Sequence, residues 1–182
     1  MPHPEEILRV RRVREGASLP QRATPGSAGL DLSACLPEPL VVPAGGRAMI
    51  PTGVAIALPD PSFVALLFAR SSLGMRRGLL LTNGVGVIDS DYRGEILVGV
   101  YNFTNEPCIV ENGERIAQLL VSRVSALPVL ECAELEDTPR GAGGFGSTGR
   151  AAIGVGETVR SAVSSARCCS SSCCCWPSCS AW

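Results

Sequence analysis

GVIDSDYRGEI, residues 86–96, lies between two apolar runs, LLLTNGV (79–85) and LVGVYNF (97–103). Strand-like flanks around a short polar stretch read as a β-hairpin, and that reading sets the class of the whole chain. If residues 88–92 run extended, Asp89 and Asp91 point the same way, because strand side chains alternate with period two. A carboxylate that faces a cleft can orient and deprotonate a water. The spacing alone also fits a solvated acidic turn.

Working outward, short Val-, Ile- and Leu-rich runs recur: ILRVRRV (7–13), GLDLSA (29–34), AMIPTGVAIAL (48–58), FVALLF (63–68), GLLLT (78–82), EILVGVYNF (95–103), CIVE (108–111) and RIAQLLVSRV (115–124). The turn clusters TPGSAG, PEP, PAGG, PDPS, TNEP and ENGE separate them. This rhythm predicts an all-β sandwich, barrel or jelly roll. The one helical candidate is SSLGMRRG (71–78).

The composition breaks near residue 138. TPRGAGGFGSTGR (138–150) is rich in glycine and cannot contribute much core, so it reads as an adaptable arm. The rest, ending RCCSSSCCCWPSCSAW, is Ser, Ala and Cys with little pattern. The expected organisation is a β domain over 1–138, an arm over 139–149 and a disordered tail over 150–182. Six of the nine cysteines crowd the tail without zinc-ligand spacing. Cys35, Cys108 and Cys132 are widely spaced, as ordinary thiols of a reducing compartment are.

The 182 residues allow one domain and a small appendage, and 46% hydrophobic content is enough for a core. A net charge of −1 argues against an electrostatic nucleic-acid binder, which needs a basic surface. All 16 basic residues are Arg, through base composition or because the guanidinium fork grips phosphates. MPHPEEILRV is too charged for a secretory leader, and no run reaches the roughly 20 apolar residues of a membrane span. A cytoplasmic protein without membrane or nucleic-acid partners is expected.

Four further segments carry chemistry, each with a plainer reading. Asp31, in PGSAGLDLSA (25–34), lies opposite Leu30 and Leu32 on its strand, where a solvent-facing acid is common. Arg70, Ser71 and Ser72 open the helix candidate and form either an anion cradle or an N-cap beside a surface Arg. Gln118, inside the apolar strand of ERIAQLLV (114–121), needs hydrogen-bond partners as a structural bridge or a ligand contact. In RGAGGFGSTG (140–149), Arg140, Ser147 and Thr148 can bind phosphate oxygens and Phe145 can stack on a base, although the stretch also reads as a flexible end.

Together, in this order and spacing, the five segments resemble the five motifs of the homotrimeric dUTP pyrophosphatases (dUTPases). The resemblance spans about residues 25–149, and GVIDSDYRGE and RGAGGFGSTG are its most specific parts. It implies a jelly-roll or distorted β-barrel with one short helix, three chains around a threefold axis, and a C-terminal arm exchanged between subunits. It also implies hydrolysis of dUTP to dUMP and pyrophosphate, by water attack on the α-phosphorus.

The resemblance assigns roles. Asp89 would hold and activate the water, Tyr92 would pack on the deoxyribose and reject a 2′-OH, and Asn83, in the hairpin strand, would read uracil with backbone groups. Arg70, Ser71, Ser72 and Gln118 would contact the phosphates. Arg140, Ser147 and Thr148 would clamp the γ-phosphate, and Phe145 would stack over uracil. Asp31 would organise the phosphate–metal region through water, with Mg²⁺ held mainly by the triphosphate. The resemblance gives Asp91 no role; beside Asp89 it is expected to support the hairpin, for example by pairing with an arginine such as Arg93.

The chain departs from the family pattern in running on to Trp182. Two alternatives frame the reading. A dCTP deaminase relative would need a catalytic glutamate near Gly99 and Val100, and would lack the GGFGSTG arm. A catalytically silent nucleotide-binding regulator would bind dUTP without turnover.

Overall fold

The computed structural model describes residues 6–144 and Ser147. Phe145, Thr148 and the tail expected over 150–182 lie outside the described residues. Two units are distinguished, Met1–Val129 and Leu130–Trp182.

The first unit is all-β with one short helix. Its elements are β1 (Arg9–Arg12), β2 (Leu30–Ser33), β3 (Leu40–Val42), β4 (Arg47–Pro51), β5 (Val54–Ala57), β6 (Phe63–Ala69), α1 (Ser71–Arg77), β7 (Leu79–Leu81), β8 (Gly86–Ile88), β9 (Leu97–Asn102), β10 (Cys108–Val110) and β11 (Arg115–Arg123). They pair as sheets β2-β11-β6-β8 and β4-β9-β7, with two-stranded ribbons β1-β5 and β3-β10, and every pairing is antiparallel. The arrangement is jelly-roll-like. Among the described residues the pairing does not close into a barrel.

Alternation builds the core. Val98, Val100 and Asn102 on β9 point inward with Ile50, Leu79 and Leu81 from the neighbouring strands, and Leu32, Val42, Val54, Val110, Ile116 and Leu119 complete the interior. Asn102 is fully buried but satisfied. Its Nδ2 donates to Val42 O (3.1 Å) and Glu106 O (2.8 Å), and its Oδ1 accepts from the Thr104 amide (3.0 Å) and hydroxyl (2.8 Å). The opposite face of β4-β9-β7 is largely apolar too, with Arg47 opposite Tyr101 as its charged member. Met49 is 61% exposed and Leu97 42%, with Leu80 and Tyr101 beside them.

The segment expected as one strand, 48–58, is two. Gly53 has φ +70°, a left-handed conformation that suits glycine, and it turns the chain from β4 into β5. The Thr52 hydroxyl donates to Ile96 O at 2.7 Å and pins this corner. The strand β3 leaves no clear signal in the sequence, because LVV is three residues between proline-rich turns.

The opening stretch is not a hairpin. β8 pairs with β6 and β9 pairs with β4 and β7, so residues 89–96 cross from one sheet to the other. Nor do residues 88–92 run extended: β8 ends at Ile88, and the Tyr92 amide donates to Asp89 O at 3.2 Å in a turn. The period-two argument for Asp89 and Asp91 therefore fails.

Within the second unit the described residues form no strand. Successive turns are closed by the Gly141 amide on Thr138 O (2.9 Å), the Gly143 amide on Arg140 O (3.0 Å) and the Ser147 amide on Gly144 O (3.0 Å).

Candidate functional site

Two cavities gather most of the residues that the sequence singles out. A cleft of about 300 Å³ is lined by Asn83, Gly86, Asp89, Tyr92 and Glu95, with Leu67, Met49 and Leu97. A second, of about 240 Å³, is lined by Asp31, Arg70, Ser71 and Gln118, with Ser27 and Gly29. The two share no lining residue.

β8 and the turns at its ends build the first cleft. Asn83 stands on the turn between β7 and β8, not on a strand as expected from sequence; Gly84 has φ +70° there and its amide donates to Leu81 O at 3.1 Å. Gly86 must be small. It pairs with Leu67 across the sheet, and a Cβ on it would fall 2.9 Å from the Leu67 Cβ. Gly86 thus lets β8 lie close against Leu67 at the cleft wall. Asp89 follows the last residue of β8 and is open to solvent. Tyr92 is 45% exposed, and its hydroxyl donates to Glu95 O at 3.0 Å.

Asp91 is exposed, and among the described residues no ion pair joins it to Arg93. Arg93 instead donates through Nη1 to Ser90 O (2.7 Å) and Tyr92 O (2.8 Å). The turn is braced by its own carbonyls, which offer the guanidinium acceptors nearer than the carboxylate.

The second cavity is organised around a carboxylate. Asp31 lies opposite Gln118 in the β2–β11 register. Its Oδ1 is 3.0 Å from Arg70 Nε, and its Oδ2 is 2.9 Å from Arg115 Nη1. Both oxygens are thus occupied by guanidinium groups. Arg70 caps α1 in an extended conformation, and Ser71 and Ser72 form the first turn. Ser72 is half-buried and lines neither cavity. Gln118 is held by Nε2 donating to Ala69 O at 3.2 Å. Its Oε1 would lie 3.1 Å from a Cβ at Gly29, so the chain entering β2 passes tightly against this amide. The loop before β2 is gathered by Arg22, which donates to Ser27 O and, at 2.6 Å, to Ala28 O.

Arg140 and Ser147 belong to the second unit, where Arg140 Nε donates to Gly143 O at 2.9 Å. Phe145 and Thr148 lie outside the described residues.

Sequence reasoning missed Arg115, Glu95 and Arg14. Arg14 grips Glu95 through Nε–Oε1 (2.7 Å) and Nη2–Oε2 (2.9 Å), and Oε1 also accepts the Gly53 amide at 2.8 Å. The Arg14 hydrogen bond, with further help from the Gly53 amide, holds the Glu95 carboxyl below the usual carboxylate range. Arg115 directly precedes IAQ and Glu95 closes YRGE, so both were within quoted motifs. Their partners are 84 and 81 residues away, beyond any spacing rule.

Known proteins resemble this chain in sequence and in fold. The dUTPase family model covers residues 15–149. The deoxyuridine 5'-triphosphate nucleotidohydrolase of Desulfitobacterium hafniense is 51% identical over 138 residues, spanning 76% of this chain and 91% of its own. That of Hahella chejuensis is 48% identical over 139 residues, with the same coverage of both chains. Among solved structures, the Staphylococcus bacteriophage 80alpha dUTPase with dUPNHPP superposes with a TM-score of 0.72 at 26% identity, covering 79% of this chain and 99% of its own. A family match over both cavities, and relatives half identical along nearly their whole length, leave one conclusion: the chain belongs to the dUTPase family.

Proposed function

We propose that this protein is a dUTP diphosphatase that converts dUTP and water to dUMP and pyrophosphate. Water oxygen attacks the α-phosphorus, the bond to the α–β bridging oxygen breaks, and pyrophosphate departs with that oxygen. The reaction keeps uracil out of DNA and supplies dUMP for thymidylate synthesis. The observation that carries the reading is the pair of cavities. One is a cleft with a glycine, an open carboxylate and a tyrosine in its lining; the other is a polar basin with an arginine paired to Asp31, a serine and an amide.

In this reading Asp89 orients the water and takes its proton. Tyr92 lies against the deoxyribose and leaves no room for a 2′-hydroxyl. Asn83 and the backbone around Gly86 read the uracil edge, where a mismatched donor or acceptor would stay unpaired. Arg70, Ser71 and Gln118 bind phosphate oxygens, and Ser72 supports them from the helix. The arm over 139–149 supplies Arg140, Ser147 and Thr148 to the γ-phosphate and Phe145 to the base. The work is positioning and charge neutralisation, as phosphoryl-transfer chemistry requires.

Mg²⁺ fits this scheme as a partner of the substrate. Among the described residues no three His, Cys, Asp or Glu side chains are grouped to hold an ion, and Asp31 has both oxygens on arginines. Triphosphate oxygens and water suit Mg²⁺ coordination, with Asp31 reached only through water. The ion would neutralise phosphate charge as the bond breaks.

The active unit is a homotrimer with sites shared between chains. Support comes from the largely apolar outer face of β4-β9-β7, where Met49 and Leu97 are exposed and also line the cleft. A surface of this kind is covered in assemblies. The separation of the two cavities within one chain points the same way. In a threefold ring, the cleft of one chain can face the basin of its neighbour. The 150–182 tail is an appendage without a catalytic part. Free thiols at Cys35, Cys108 and Cys132 suit a reducing cytoplasm. No helix of the described residues is long and apolar enough to cross a membrane.

The test is pyrophosphate release from dUTP, dTTP, dCTP and UTP with Mg²⁺, beside a light-scattering mass. Turnover confined to dUTP at three times the chain mass is expected. Ammonia release from dCTP, dUTP binding without turnover, or a monomer active at all concentrations would each refute part of it.

A further inference from the structure

We propose that Gly94 and Glu95 are positioning residues that fix the Tyr92 ring and so set how strictly the site rejects ribonucleotides. The inference rests on the reading of Tyr92 as the sugar-facing wall. With 45% of its surface exposed, Tyr92 is not locked by core packing. What holds the ring is local. The phenol donates to Glu95 O at 3.0 Å, and the ring lies against Gly94. A Cβ at residue 94 would fall 2.3 Å from Tyr92 Oη and 2.5 Å from Cζ, far inside contact distance. Gly94 is not among the glycines with positive φ, so the position needs room, not an unusual backbone. Any side chain there displaces the ring.

Glu95 fixes the acceptor. Its carboxylate is gripped by Arg14 and by the Gly53 amide, while its own carbonyl takes the phenol. The Gly53 corner is tightly packed: a Cβ on it would meet the Ala17 Cβ at 2.5 Å and the Cys35 Sγ at 2.9 Å. The next residue, Ile96, is tied to that corner through its amide on Val54 O (2.9 Å) and its carbonyl on the Thr52 hydroxyl (2.7 Å). A chain of contacts therefore runs from the core to the phenol, and the ring inherits its orientation from residues that need not touch the nucleotide. A displacement of about 1 Å is enough to spoil a close steric fit.

The experiment measures kcat/KM for dUTP and UTP, with melting temperature, in Gly94→Ala, Glu95→Gln and Tyr92→Ala. Gly94→Ala displaces only the end of a half-exposed side chain, so it should melt close to wild type. Its UTP:dUTP ratio should rise about tenfold or more, within the range that one methyl-sized misfit commands. Glu95→Gln keeps an oxygen for the Gly53 amide but loses the bidentate arginine, and should raise the ratio less. If Tyr92→Ala raises the ratio and Gly94→Ala does not, the positioning role is refuted while the sugar-wall reading stands. If Tyr92→Ala also leaves the ratio unchanged, the sugar-wall reading falls and the inference with it. Should Gly94→Ala fail to fold, Tyr92→Phe removes only the bond to Glu95 O, and an unchanged ratio there overturns the inference.

Discussion

Replacing Asp31 with Asn removes one charge from a cluster of three. Its two oxygens meet Arg70 at 3.0 Å and Arg115 at 2.9 Å, with side-chain exposures of 13% for Asp31, 24% for Arg70 and 51% for Arg115. The amide keeps one acceptor and turns an NH₂ toward a guanidinium, so two charge-assisted bonds become at most one weaker bond. Removing one partner of a buried pair costs about 3–5 kcal/mol, whereas an exposed pair contributes about 0–1 kcal/mol. The carboxylate is mostly buried but Arg115 is half in water, which places the loss at about 2 kcal/mol. For a chain of this size that lowers the melting temperature by about 4–8 °C. Arg70 is released with it, so KM for dUTP should rise more than kcat falls. The assay is thermal unfolding together with dUTP kinetics over a range of Mg²⁺ concentrations. Arg115→Met, which removes one arm only, should show a smaller version of both effects. An unchanged melting temperature, or a KM defect that saturating Mg²⁺ abolishes, would refute the positioning of Arg70 and return Asp31 to the metal.

Asp89→Asn should lower kcat at least about 100-fold while dUTP binding survives, measured by calorimetry beside pyrophosphate release; near-normal turnover would remove Asp89 from water activation. Glu95 is held below the usual carboxylate range by Arg14, so its stabilisation is present above the ordinary glutamate value and lost as pH falls through the lowered one. Wild type should therefore melt above Glu95→Gln at pH 7, and the two should converge as pH drops below about 4; a constant gap would contradict the pairing. Gly78 ends α1 at φ +65°, and a Cβ there would sit 2.0 Å from the Thr104 Cγ2. Gly78→Ala should cost about 1–3 kcal/mol in urea unfolding, and an unchanged midpoint would show that the cap relaxes freely.

Local pattern carried the fold class. Alternation on β9 put Val98 and Val100 inside, and SSLGMRRG closed as α1 on the glycine that follows it. Joins between elements were less legible. The opening stretch reads as a hairpin because its flanks are strands, yet which strands pair is decided by contacts such as Ala65 with Ile88, well apart in sequence. The glycine in PTGVA was the available signal for the corner at Gly53. For the site, motif order was enough to single out Asp89, Arg70 and Gln118, which line the two cavities. The Arg14–Glu95 and Arg115–Asp31 pairs join chain segments more than 80 residues apart, and no motif records them.

The separation of the two cavities bears on inheritance. Under the proposed assembly, each working site takes its cleft from one chain and its basin from another. A chain spoiled at Asp89 still carries a sound basin, and a chain spoiled at Arg70 still carries a sound cleft. Coexpressed, two such null alleles complement each other, because a mixed ring contains some sites built only from intact halves. A single defective allele has the converse effect and spreads its damage into rings that also contain normal chains. Dominance and rescue would then follow from how chains are dealt into rings, not from either sequence alone.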